Sequence, residues 1–314
     1  NISGAGDLDI TLAGGASAGA TASASAATGA VKMIWGGNFT TLTGGSGADT
    51  FDVSATGYLG STAPKTITGG TGADKVMFDE DVTSLTSNTA ATPHAISGVE
   101  TLEIEGKLAD SGTADLTRTV EADLLSEITT IQIDASNADS IAGGDSGEDV
   151  TITVNDIVDE AIEIQFLASS AANNDEAVSL NLKTDTGTAD SISIKTLNPS
   201  STTVTSLTTL TVDRAASAAN NLVETINLEI GTTDVSGGDG TTIGALDGTY
   251  SGTLNITGSG DATINGIELR DPTGTTTAVI NAGAYTGNLT LGTGFKTTAA
   301  DTISLTLGSG TNTV

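Results

Sequence analysis

An all-β fold of stacked short strands is what this sequence predicts. Three observations predict it: small and β-branched residues with few aromatics, short alternating strand patterns that recur, and glycine-rich turns at fixed offsets. The composition comes first. Of 314 residues, 40 are glycine and only 3% are aromatic. Side chains this small cannot fill a wide globular core, but they can fill the thin interior of a solenoid, where each rung buries its face on the next. Thr, Val and Ile are stiff at χ1 and suit pleated strands, while Gly supplies the turns.

The recurring strands come second. An apolar residue, any residue, Thr, apolar, any, apolar appears as Val99-Glu100-Thr101-Leu102-Glu103-Ile104 and as Ile128-Thr129-Thr130-Ile131-Gln132-Ile133. It returns as Leu207 to Val212 and as Val223-Glu224-Thr225-Ile226-Asn227-Leu228. Each copy ends in the period-two alternation of a half-buried strand. A second unit places Thr-Gly or Ser-Gly before a strand: Ala27-Thr28-Gly29, Tyr250-Ser251-Gly252 and Tyr285-Thr286-Gly287. A third likeness joins Asn1-Ile2-Ser3-Gly4-Ala5-Gly6-Asp7 to Asn255-Ile256-Thr257-Gly258-Ser259-Gly260-Asp261. The expected architecture is an elongated β-solenoid or β-roll-like stack, with breaks into β-sandwich-like segments left open.

The coarse organisation has three parts: a Gly-rich repeat region over 1–110, an acidic and less regular region over 111–235, and a Gly/Thr-rich repeat region over 236–314. Within the second, Leu116 to Glu127 lacks strict alternation and reads as a short helix. The chain starts and stops in mid-pattern, which reads as a piece of a longer polypeptide.

The glycine-rich turns carry the chemistry. Gly44-Gly45-Ser46-Gly47-Ala48-Asp49-Thr50-Phe51-Asp52 fits the G-G-x-G-x-D-x-U-x nonapeptide, U being a large apolar residue. Gly69-Gly70-Thr71-Gly72-Ala73-Asp74-Lys75-Val76-Met77 fits it again 25 residues later. The glycines let carbonyl oxygens turn inward, the aspartate adds a charged oxygen, and the apolar residue enters a strand that locks the turn. Calcium takes six to eight oxygen ligands at about 2.3–2.6 Å, more than one turn offers, so two stacked turns are expected to share an ion. The candidate ligands are Gly44, Gly45, Ser46, Gly47 and Asp49, with Gly69, Gly70, Thr71, Gly72 and Asp74. The competing reading is an ordinary glycine turn with a solvent-facing aspartate.

Weaker candidates follow. Asp52 ends the first nonapeptide, and Asp79 and Asp81 lie in an acidic run. Gly143-Gly144-Asp145-Ser146-Gly147-Glu148-Asp149 has one residue too many but contributes Asp145, Glu148 and Asp149. Ala-Asp-x-apolar cores place Asp139, Asp190 and Asp301 in the same class.

The charge balance, 10 basic against 39 acidic residues for a net -29, opposes contact with nucleic acid or an anionic membrane. It fits either a halophilic surface or carboxylates waiting for cations. No run approaches the ~18 apolar residues of a membrane helix. With no cysteine, an extracellular chain needs another staple, and bound metal is the usual one.

The two nonapeptides, followed by Ile96-Ser97-Gly98-Val99-Glu100-Thr101-Leu102-Glu103-Ile104, resemble the RTX-type surface-layer proteins of Gram-negative bacteria. That resemblance implies type I secretion, calcium-driven folding outside the cell, and lateral assembly of identical copies into a cell-surface lattice. It also implies anchoring to lipopolysaccharide through a region outside these residues. The nonapeptides here are isolated, not in long tandem runs.

An enzyme is not expected. His94 is the only histidine, and Trp35 stands alone as a core or interface residue. A module of a carbohydrate-acting enzyme stays open through the many carboxylates. A calcium-dependent adhesin or surface filament is the second alternative.

Overall fold

A computed structural model describes residues 1–12, 19–54, 58–59, 65–82, 94–105, 116–124, 127–134, 150–157, 162–167, 176–183, 190–197, 205–213, 223–231, 240–248, 252–269, 277–296 and 302–314. The chain is all-β. Two compact units divide it, one formed by 1–105 with 123–132 and the other by 106–122 with 133–314.

The first unit holds β1 (Ser3–Gly4), β2 (Leu8–Thr11), β3 (Ala20–Ser23), β4 (Ala26–Ala27), β5 (Val31–Ile34) and β6 (Phe39–Thr43). It continues with β7 (Thr50–Asp52), β8 (Thr66–Thr68), β9 (Lys75–Phe78), β10 (Ala95–Ser97) and β11 (Thr101–Glu105). Its strands stack as parallel ladders in the orders β2-β5-β7-β9-β11 and β3-β6-β8-β10, with β1 beside β4. The period-two pattern then works as the sequence demands. Phe51 pairs with Val76 and Val76 with Leu102, so one apolar column runs up the interior, and all three are fully buried.

The next elements are β12 (Leu116–Glu121), a single 3-10 turn (Ala122–Leu124) and β13 (Thr130–Asp134). The stretch from Leu116 to Glu127, where a short helix is expected, therefore begins as a strand, and its helical part is the single 3-10 turn Ala122–Leu124. Burial of Val120 and pairing with the strand at 150–157 prevail over a weak local pattern.

The second unit adds β14 (Val150–Ile157), β15 (Glu163–Leu167), β16 (Glu176–Leu182), β17 (Ser191–Leu197), β18 (Thr205–Asp213) and β19 (Thr225–Ile230). It ends with β20 (Gly240–Gly248), β21 (Thr253–Gly258), β22 (Asp261–Leu269), β23 (Ala278–Asn281), β24 (Leu289–Lys296), β25 (Ile303–Thr306) and β26 (Asn312–Thr313). The odd-numbered strands from β15 to β25 form one parallel ladder, and the even-numbered strands from β12 to β26 form another. Successive strands thus alternate between two sheets, one rung per pair. Ile192, Ile226, Leu254 and Ile280 make one buried column, and Ile194, Leu228 and Ile256 the next. Outward-facing amides extend the stacking: Asn255 Nδ2 donates to Asn227 Oδ1 at 2.9 Å, and Asn281 Nδ2 donates to Asn255 Oδ1 at 3.3 Å.

All four copies of the recurring six-residue pattern bury their three apolar positions. The Asn1–Asp7 and Asn255–Asp261 turns are also the same local solution. Gly4 and Gly258 take φ of 129° and 105°, and their carbonyls accept the Thr28 and Thr286 amides at 2.8 and 3.0 Å. Asp7 Oδ1 accepts the Ala30 amide, and Asp261 Oδ1 the Asn288 amide, each at 3.0 Å.

Candidate metal centre

The two nonapeptide turns lie one above the other, between the ladder of β6 and β8 and that of β7 and β9. Their backbones are in direct contact. The Thr71 amide donates to Gly45 O at 3.1 Å and the Lys75 amide to Asp49 O at 2.8 Å, while the Gly44 amide donates to Thr68 O at 2.8 Å. Glycine is required by this closeness. A Cβ at Gly47 would lie 2.5 Å from the Gly29 carbonyl, and one at Gly72, whose φ is 141°, would lie 2.2 Å from Gly47 O.

Asp49 and Asp74 do not face solvent; they are 1% and 0% exposed. Asp49 Oδ1 accepts the Val31 amide at 2.8 Å and Oδ2 accepts the Gly45 amide at 2.5 Å. Asp74 Oδ1 accepts the Asp49 amide at 2.7 Å. The second turn then departs from the first. Gly70 adopts φ of 115°, and Asp74 Oδ2 is buried with no hydrogen-bond partner.

That oxygen and a backbone carbonyl oxygen both lie beside the Gly69 Cα. The point where a side chain at Gly69 would begin lies 1.6 Å from Gly98 O and 2.5 Å from Asp74 Oδ2, so the two oxygens are separated by no more than the sum of those distances. The turn below repeats the arrangement, with Gly69 O and Asp49 Oδ2 at 2.1 and 2.4 Å from the corresponding point at Gly44. Each turn therefore brings a carboxylate oxygen and a carbonyl of the next rung to the Cα of its first glycine, two of the six to eight oxygens that calcium takes. Burial pushes the Asp74 carboxyl up to about 6. The Asp49 amide opposes the shift, and the charges of Asp49 and Glu100 add to it.

Two acids that the nonapeptide pattern does not include complete the corner. Glu100 Oε2 accepts the Asp74 amide at 2.8 Å, and the Glu127 carboxylate accepts the Gly98 amide. A Val-Glu-Thr triplet downstream of an Ala-Asp pair is the sequence signal for Glu100. It recurs in the second unit, where Glu224 Oε2 accepts the Asp190 amide at 2.7 Å. The Asp190 amide is thus capped as the Asp74 amide is.

The weaker candidates separate from this site. Asp52 is at the opposite end of β7 from Asp49, and Asp79 and Asp81 lie past the far end of β9 from Asp74. Burial would raise the Asp52 carboxyl, but the Ser54 hydroxyl and amide and the Lys32 ammonium at 3.3 Å outweigh it and hold it below the usual range. Asp139, Asp145, Glu148, Asp149 and Asp301 lie outside the described residues.

Away from the corner, Trp35 and His94 are both buried, with Tyr58 between them: ring centroids are 5.3 Å from Tyr58 to Trp35 and 5.8 Å to His94. Neither residue forms an exposed sugar platform or a solvent-facing catalytic group. Among the described residues no helix is long and apolar enough to cross a membrane. Set against known proteins, the chain matches no family model, no curated protein and no solved structure.

Proposed function

We propose that this chain is a structural, non-enzymatic cell-surface protein that folds with calcium and assembles with its own copies into a two-dimensional layer. The observation that carries the calcium part is the buried Asp74 Oδ2, which has no hydrogen-bond donor and lies near Gly98 O beside the Gly69 Cα. A buried carboxylate oxygen without a donor is costly, and a divalent cation shared with the carbonyl removes the cost. Asp74, Gly98 and the stacked Gly69–Gly72 turn are the residues that would hold the ion, with Asp49 and Gly69 O as a second pair. The net charge of -29 supports the same reading, since cations must screen such a chain before it compacts or meets another copy. Low calcium inside a cell would leave it exportable, and millimolar calcium outside would couple binding to folding. The RTX-type surface-layer resemblance supplies the lattice and the extracellular location.

The test is a thermal melt followed by circular dichroism in calcium and in EGTA, with negative-stain microscopy of the calcium-loaded sample. A higher melting temperature in calcium and an ordered sheet are expected. Identical melts would remove calcium from the account, and dispersed single particles at saturating calcium would remove the lattice.

A further inference from the structure

Buried charged residues outside the corner include Lys65, just before β8, and Glu103 and Glu105 of β11. Lys65 is 2% exposed, and its Nζ donates to Tyr58 O at 2.7 Å. The same ammonium lies 3.9 Å from the Trp35 ring centroid and 4.3 Å from that of Tyr58. Tyr58 is itself held from the other side, its amide donating to Glu80 Oε1 at 2.7 Å. The cage therefore joins the residue just before β8 to residues that follow β5, β7 and β9.

The position of this cage along β8 matters. β8 has three residues and one buried apolar side chain, Ile67. Lys65 and Ile67 occupy alternate, inward-facing positions, so Lys65 takes a place the period-two pattern reserves for an apolar residue. Hydrophobic patterning fixes which face of a strand is buried, but a slip of two residues keeps that face. It would instead take the ammonium away from both rings and from its carbonyl acceptor. A buried charge that fits at one place only is a means of fixing register.

We propose that Lys65 is a positioning residue that pins the register of β8, and through it the Gly69–Asp74 corner, against the neighbouring rungs. The corner's importance rests on the calcium reading above; the pinning of register does not. β8 runs directly into Gly69, so a slipped β8 would carry Gly69 and Gly70 away from their stacking on Gly44, Gly45 and Gly98.

The chain has no cysteine, so paired cysteines report register cleanly. Thr43 pairs with Thr68, and Thr41 with Thr66. Thr43→Cys with Thr68→Cys reports the native register on mild oxidation. Thr41→Cys with Thr68→Cys, and Thr43→Cys with Thr66→Cys, report two-residue slips in the two directions. Adding Lys65→Met should raise slipped cross-linking about tenfold at the expense of the native pair, and Lys65→Arg should restore the native pattern. If the Lys65→Met chain does not fold, Trp35→Leu, which keeps the lysine and removes the nearer ring, is read in the same way. Native cross-linking alone in the variant that folds would overturn the proposal. A calcium-induced rise in melting temperature is measured alongside. Its absence from the unsubstituted chain would remove the metal reading while the cross-links still decide the register.

Discussion

Glu100 Oε2 accepts the backbone amide of Asp74 at 2.8 Å, so the acid that opens one strand caps the acid that ends the turn of the neighbouring rung. Glu224 repeats this with Asp190 at 2.7 Å. The consequence is testable by removal. Glu100→Ala leaves the Asp74 amide without its acceptor and should cost about 1–3 kcal/mol, whereas Glu100→Gln, which retains an acceptor oxygen, should cost less. Urea unfolding midpoints at constant m-value read the difference, and equal midpoints for the two variants would contradict the capping role.

Two glycines of the turns at the same corner separate close packing from turn propensity. Gly47→Ala would drive a methyl group into the Gly29 carbonyl at 2.5 Å, while Gly6→Ala meets nothing within 4 Å. The first should destabilise by about 2 kcal/mol or more, and the second should change stability by no more than about 0.5 kcal/mol. Thermal melts of the two variants side by side give the comparison.

The Asp74 carboxyl makes a prediction about pH. Its value in the fold is about 6, above the usual 3.8, so between those values the folded chain binds more protons than the unfolded one. The group's contribution is complete below about pH 4 and is lost as the pH rises through 6. In EGTA, Asp74→Asn should therefore be more stable than the unsubstituted chain at pH 7, by about 1–3 kcal/mol, with the gap closing at pH 4. Chemical unfolding at the two pH values checks the sign.

Calcium should reverse that order. With the ion present, the carboxylate has a partner and the asparagine variant loses it, so at pH 7 the unsubstituted chain should gain melting temperature while Asp74→Asn gains little. A doubly substituted Asp49→Ala, Asp74→Ala chain should show no calcium response, and a full response from it would place the ion elsewhere.

Much of the fold was legible in the sequence because a stacked β architecture is written in local terms. Alternation at Leu102 and Ile104, or at Ile226 and Leu228, tells which side chains face inward whatever the partner strand. The double-glycine turns and their aspartates were equally legible, since the chain cannot approach itself so closely with a Cβ present. The strand that opens the stretch Leu116 to Glu127 was not legible, for the converse reason. It depends on pairing with β14, a partner about 30 residues away in sequence that no local pattern records.

By itself, the sequence determined the strand period, the positions of the turns and the acids available to them. Only the tertiary structure decided what those acids do. Asp49 has both oxygens on backbone amides, Asp74 has one oxygen left without a donor, and Lys65 stands in a row of apolar positions. Residue type sets charge and shape, but whether a carboxylate faces water, an amide or another oxygen depends on the neighbouring rung. That neighbour is about 25 residues away along the chain and in direct contact across the stack.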